Sequence, residues 1–209
     1  GEYTNSKYAI ACVNGSSALQ VSLRLSGVCA GDEVIVSTLT FIATVNAISY
    51  NNAKPIFMDV DKYYNLDSEK VIHFIKNETF YKNGFTFNKH TEKKIKAIMP
   101  VHVWGNACNL NELIELCNEK NISIVEDACE GLGTTYNSGK YKNKHVGTLG
   151  KFGCLSFNGN KIITTGGGGM ILTDDEALAE KAKYLTTQSK DDPVKYVHNS
   201  IGYNYRLTN

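Results

Sequence analysis

The sequence predicts an α/β fold, a mostly parallel sheet sandwiched by helices. Two observations carry that prediction. Short runs rich in β-branched residues alternate with stretches of helical period along the chain. At least one run, I-S-I-V, looks buried, as a strand covered on both faces is. The bulk composition agrees. With 209 residues, 42% hydrophobic and 21% charged, the chain is an ordinary globular one, long enough to bury a sizeable core.

The elements follow in order. K-Y-A-I-A-C-V reads as a strand and G-S-S-A-L-Q-V-S-L-R-L-S-G as a helix that Gly27 ends. E-V-I-V-S is a strand and T-F-I-A-T-V-N-A-I-S-Y a helix. K-P-I-F-M-D-V-D is a strand ending in acids, followed by helical D-S-E-K-V-I-H-F-I-K. The stretch from Tyr81 to Lys94 is polar, without a clear period, and reads as an inserted loop; residues Asn137 to Lys144 read alike. I-K-A-I-M-P-V-H-V-W is the next strand. N-L-N-E-L-I-E-L-C-N-E-K-N is an amphipathic helix with Leu110, Leu113, Ile114 and Cys117 on one face. I-S-I-V-E-D, C-L-S-F and G-M-I-L-T are strands, and D-D-E-A-L-A-E-K-A-K-Y-L is a helix with acids in its first turn. There is no internal repeat or low-complexity linker, so residues 1–209 read as one domain.

The net charge of +1, without a run of like charge, gives no support to a nucleic-acid or membrane-surface role. No apolar segment approaches membrane-spanning length, and G-E-Y-T-N-S-K is not a signal peptide. The six cysteines form no C-x-x-C pair and mostly sit in apolar runs. They read as buried free thiols of a cytoplasmic protein, ahead of metal ligation or disulfides. His73, His90 and His198 have no ligand spacing, so no metal is assigned.

Ligands of such sheets bind beyond the carboxyl ends of the strands. Four strand ends carry suggestive residues. N-G-S-S (14–17) joins a strand to a helix, where backbone N–H groups and hydroxyls make an anion site; taken alone, simple capping by Asn14 or Ser16 is the plainer explanation. I-S-I-V-E-D ends in Glu126 and Asp127, either a helix cap or a functional acid. Phe41 opens a helix, as a core residue or as a flat surface for a ring. Ser156 and Lys161 flank N-G-N, with four glycines behind. His102 and Trp104 follow a strand and read as a satisfied, partly buried pair. Asp59 and Asp61 read as loop caps.

Together these parts suit pyridoxal phosphate. That cofactor needs an anion cradle, a carboxylate for its pyridine nitrogen, a flat contact and a lysine to bond its aldehyde. The absence of any G-K-[ST] argues against a nucleotide P-loop.

The chain also resembles the large domain of the DegT/DnrJ/EryC1/StrS sugar aminotransferases, within the aspartate aminotransferase-like (fold type I) pyridoxal phosphate enzymes. The matching segments are V-N-G-S-S-A-L, T-F-I-A-T-V-N-A-I, P-I-F-M-D-V-D, P-V-H-V-W-G, I-V-E-D-A-C-E-G-L-G, L-S-F-N-G-N-K-I-I-T-T-G-G-G-G-M and G-Y-N-Y-R-L. They occur in family order and cover nearly the whole chain. The resemblance is greatest to members that aminate C4 of a UDP-linked 4-keto-6-deoxy-N-acetylhexosamine for surface glycans, with amination at C3 or a non-catalytic family-like domain as alternatives. It implies an amino-acid donor, glutamate, and two half-reactions in one pocket.

By position, the resemblance implies that Lys161 bonds the cofactor covalently and then shuttles a proton. Asp127 partners the pyridine nitrogen and Phe41 stacks on the ring. Ser16, Ser17 and Ser156 hold the phosphate. Asn204, helped by Arg206, reaches the phosphate of a neighbouring subunit, implying a homodimer with shared sites. Glu130 stands where relatives often carry glutamine or histidine, and there must be protonated or paired. Lys161 rather than histidine favours transamination over dehydration. The resemblance further implies a chain shortened at both ends, without the small C-terminal domain, and binding cofactor weakly or inactive alone.

Overall fold

The computed structural model describes residues 1–192 and 194–208. Its strands are β1 (Tyr8–Cys12), β2 (Glu33–Ser37), β3 (Lys54–Met58), β4 (Thr79–Lys82), β5 (Phe85–Asn88), β6 (Ile95–Met99), β7 (Ser123–Asp127), β8 (Phe152–Ser156) and β9 (Gly169–Thr173). The helices are α1 (Gly15–Leu25), α2 (Ile42–Tyr50), α3 (Ser68–Asn77), α4 (Asn111–Glu119) and α5 (Glu176–Thr186). Seven strands form one sheet in the order β1-β9-β8-β7-β6-β2-β3. The run from β3 through β8 pairs in parallel, and only β9 runs against its neighbours. The predicted α/β class, a mostly parallel sheet with helices on both faces, is the observed one.

Alternation along the strands sends side chains to two cores. Val34, Val36, Ala97, Met99, Val125 and Phe152 meet one layer, where Leu19, Leu23, Ala47, Ile48 and Leu185 come from α1, α2 and α5. Ile35, Ile98 and Ile124 face the other, against Val71 and Ile75 of α3 and Leu113, Ile114 and Cys117 of α4. β2 is buried at every residue, so E-V-I-V-S can be continuously apolar with one acid at its start. Asp67 and Asp175 cap α3 and α5, accepting from the amides of Lys70 and Leu178.

Two expectations fail. The stretch from Tyr81 to Lys94 is not a loop, because most of it is the β4–β5 hairpin with part of its neighbours. Its two-residue turn is Asn83-Gly84, both with positive φ (53° and 81°), the geometry of a type I′ turn. Phe80 and Phe87 stack across the pair, 5.3 Å between centroids. Gly84→Ala places a Cβ in the left-handed region and is expected to cost about 1 kcal/mol, read as a lower denaturation midpoint. The second failure is β6, which ends at Met99 instead of running to Trp104. Pro100 has no N–H for the ladder, and the chain then makes a short 3-10 turn, Val103–Gly105.

All six cysteines are free; Cys12, Cys108, Cys117 and Cys154 are buried, Cys129 is half-buried, and Cys29 is exposed. Among the described residues no helix is long and apolar enough to cross a membrane. None of their His, Cys, Asp and Glu side chains gather in a group of three fit for a metal ion.

Candidate active site

β1, β2, β6, β7 and β8 are mutually parallel through the sheet, so their carboxyl ends lie along one edge. A cleft of about 560 Å³ opens there. Each strand end contributes to its wall: Ser16 after β1, Phe41 after β2, Trp104 after β6, Asp127 on β7 and Ser156 on β8, with Lys161 and Glu130 beside them.

The adjacent acids of β7 have opposite surroundings, as alternation requires. Glu126 is fully buried. Its Oε2 accepts from His102 Nε2 (2.9 Å) and the Gly147 amide (2.9 Å), and its Oε1 from the Leu149 and Gly150 amides (2.7 and 2.6 Å). Burial alone would push its carboxyl up, but the His102 ring and the amides of Gly150 and Gly147 outweigh that and hold it below the usual range. His102 Nδ1 accepts from the Cys108 amide (3.1 Å), so the ring proton sits on Nε2 and donates to Glu126.

Asp127 faces the other way, into the cleft, and is 5% exposed. Oδ2 accepts from the Thr44 hydroxyl (2.7 Å), which itself accepts from Thr40 (2.8 Å); Oδ1 accepts from the Cys129 amide (3.1 Å). A carboxylate has about four acceptor positions. Asp127 therefore keeps acceptor capacity toward the cleft.

The start of α1 forms a third wall. Asn14 caps it, its side chain accepting from the Ser17 amide (2.8 Å). The capping explanation is thus correct for Asn14, but it leaves Ser16 on the cleft. A Cβ on Gly15 would lie 2.8 Å from Cys129 Sγ and 3.0 Å from Ser156 Cβ. Helix start, Cys129 and Ser156 are therefore in close contact only because residue 15 is glycine. Ser156 is only 8% exposed and lines the cleft. The glycine run also finds its reason here. A Cβ on Gly169 would sit 2.3 Å from the Asn14 carbonyl, and Asn14 bridges Gly168. The bare backbone behind Lys161 fits the strand against the α1 turn.

Lys161 Nζ lies 3.4 Å from Glu130 Oε1, and the lysine side chain is 16% exposed. Glu130 Oε2 accepts from the Trp104 amide at 3.1 Å. Glu130 is thus paired, as the sequence required of a charge at that position. Phe41 is 72% exposed at the start of α2, so it is not a core residue. Trp104 is not partly buried with His102 as expected: His102 is buried, while Trp104 stands 67% exposed on the cleft. Asp61 does cap its loop, its Oδ1 accepting from the amides of Tyr63 and Asn65. Asp59 instead pairs with Lys70 at 2.8 Å.

Two predicted groups are not brought to this cleft. Ser17 is buried behind the cap, its amide spent on Asn14. Asn204 and Arg206 lie exposed at a second cleft of about 500 Å³ with Thr187, Gln188 and Lys190. Sequence reading missed Thr44 and Cys129. Thr44 had a signal: it stands in the first turn of a helix directly after a strand, four residues beyond Thr40, whose hydroxyl donates to it.

The family model described as "DegT/DnrJ/EryC1/StrS aminotransferase family" matches residues 1–209. The chain belongs to this family. A GDP-perosamine synthase of Escherichia coli O157:H7 is 40% identical over 208 residues, covering 100% of this chain and 52% of that protein. The crystal structure of a DegT DnrJ EryC1 StrS aminotransferase from Brucella abortus superposes with a TM-score of 0.86 at 31% identity, over 99% of this chain and 52% of that one. NtdA from Bacillus subtilis, solved with bound cofactor PMP, superposes with a TM-score of 0.79 at 27% identity, over 99% of this chain and 42% of that one. The chain spans about half the length of the curated relatives it matches.

Proposed function

We propose that this chain is the cofactor-binding large domain of a pyridoxal-phosphate-dependent nucleotide-sugar aminotransferase. The observation that carries the reading is the one cleft that gathers Lys161, Asp127, the start of α1 and Ser156. The residues present fit the cofactor. Gly15 leaves the helix start bare where a Cβ would collide, Asp127 keeps an open acceptor, and Phe41 offers an exposed ring.

Bound there, pyridoxal phosphate supplies an electron sink that lets an amino group pass from a donor to a carbonyl acceptor. The start of α1 with Ser16 and Ser156 holds the phosphate, where N–H groups and hydroxyls favour an anion. Asp127 would accept from the protonated pyridine nitrogen, its carboxylate aimed by Thr44 and the Cys129 amide. Phe41 covers the ring face. Lys161 Nζ would be the amine that holds the cofactor and the group that moves a proton at the substrate carbon. Glu130 Oε1 lies 3.4 Å from that amine.

The proposed acceptor is a nucleotide-linked 4-keto-6-deoxy sugar aminated at C4, with glutamate as donor. The relative named GDP-perosamine synthase adds guanosine diphosphate to uridine diphosphate as a nucleotide to test. In this reading the chain works as a homodimer, with Asn204 and Arg206 reaching the partner subunit's phosphate. The test begins with the visible spectrum after adding pyridoxal phosphate, then borohydride reduction and peptide mapping. The expected adduct is on Lys161; an adduct elsewhere, or none in an active protein, overturns the assignment. Product NMR with UDP- and GDP-linked keto-sugars then distinguishes C4 from C3.

A further inference from the structure

Trp104 is the chain's one tryptophan. It lines the cleft, yet 67% of it is exposed. Its backbone lies in the left-handed region, φ 52° and ψ 26°. Tyr64 meets it edge to face, 5.3 Å between centroids at 64°, and is itself left-handed at φ 68°. Bulky residues adopt that region only when their surroundings impose it.

The surroundings do impose it. The Trp104 amide donates to Glu130 Oε2, and the Gly105 amide to the His102 carbonyl (both 3.1 Å). Asn65, 2% exposed and next to Tyr64, accepts from the Val103 amide (3.1 Å) and donates to the Asn106 carbonyl (3.3 Å). Asp61 clamps the other end of that loop through the amides of Tyr63 and Asn65. Two loops are thus stitched together, and the result is two aromatic rings held out in water. A packing role would bury them. A rigid exposed aromatic surface on a cleft is a surface for a ligand.

We propose that Trp104, steadied edge-on by Tyr64, stacks against the apolar C–H face of the hexose and sets which sugar is accepted. This rests on the aminotransferase reading above. The position selects the sugar over the base. Trp104 N and Lys161 Nζ are bound by the two oxygens of one carboxylate, Glu130, at 3.1 and 3.4 Å. The ring therefore springs from beside the amine that the keto carbon must approach. Ribose and diphosphate separate the base from that carbon. A 6-deoxy hexose presents ring C–H groups and a methyl, which a flat indole takes by dispersion and by shedding water.

The lone tryptophan makes the test direct, because all tryptophan emission comes from Trp104. The cofactor-loaded protein is titrated with the nucleotide-linked keto-sugar and, separately, with the matching nucleoside diphosphate. The keto-sugar is expected to shift the emission to the blue, and the diphosphate to leave it in place. Trp104→Ala is expected to raise KM about tenfold with kcat changed less than about twofold, and Trp104→Phe to recover most of the loss. Turnover with unmoved emission and an unchanged KM in Trp104→Ala overturns the inference and leaves the aminotransferase reading standing. A shift with the diphosphate alone assigns the ring to the base and also overturns it. Cofactor-loaded protein that neither binds nor turns over any keto-sugar removes the reading beneath it, and the inference falls too.

Discussion

Lys161→Ala is expected to lower turnover at least about a thousandfold and to abolish the borohydride-fixed adduct, while leaving the fold intact. The fold should survive because the interaction lost is small. The Lys161–Glu130 pair is 3.4 Å long with 16% and 42% exposed side chains, and partly solvated pairs of this kind contribute about 0–1 kcal/mol. A purely structural lysine would therefore give a nearly silent variant. Lys161→Arg sharpens the test. Arginine can keep an ion pair with Glu130, but it does not deprotonate and so can neither bond the cofactor nor carry the proton. It is expected to be as inactive as the alanine variant at unchanged melting temperature. Turnover in Lys161→Arg above a hundredth of the parent rate would sink the proposed role.

Much of the fold was legible because each strand carries its own local signal. Buried E-V-I-V-S and I-S-I-V read correctly, as did the apolar face of α4. The hairpin was overlooked although K-N-G-F states it outright: Asn-Gly between two runs bearing aromatics is a turn signal that outweighs a polar composition. β6 was overrun because Pro100 was read through rather than as a stop. The site divides in the same way. Lys161, Asp127 and Ser156 could be found from strand ends, since topology sends those ends to one edge. Thr44 could not be attached to Asp127 without the packing of α2, because that bond joins residues 83 apart in sequence. Nothing local in the glycine run says that Gly169 makes room for the Asn14 backbone. Contacts between distant backbones leave no mark on local sequence.

Glu126 and Asp127 are neighbours with the same chemistry, and the structure predicts opposite failures for them. Glu126→Ala is expected to destabilise the protein by about 3–5 kcal/mol, since it strands four donors at once, the His102 ring and the Gly147 amide fully buried and the Leu149 and Gly150 amides half-buried. Asp127→Asn is expected to fold normally, because the Cys129 amide can still donate to its one oxygen while the Thr44 hydroxyl turns to accept from its NH2 group, and to lose turnover through its neutral side chain. Denaturant melts and turnover on the two variants should thus trade places. The acid response separates them further. The folded Glu126 carboxyl lies below its ordinary value, which is about 4.3. Its stabilisation is therefore complete well above that pH and disappears as the pH falls through the depressed folded value. Glu126→Gln removes the titration and offers one acceptor oxygen where four donors converge, so its amide N–H groups must face other donors. It is expected to be less stable at neutral pH and to lose less on acidification than the parent. Parallel stability curves for the parent and Glu126→Gln below pH of about 4.3 would show that the buried acid is not what this network is built around.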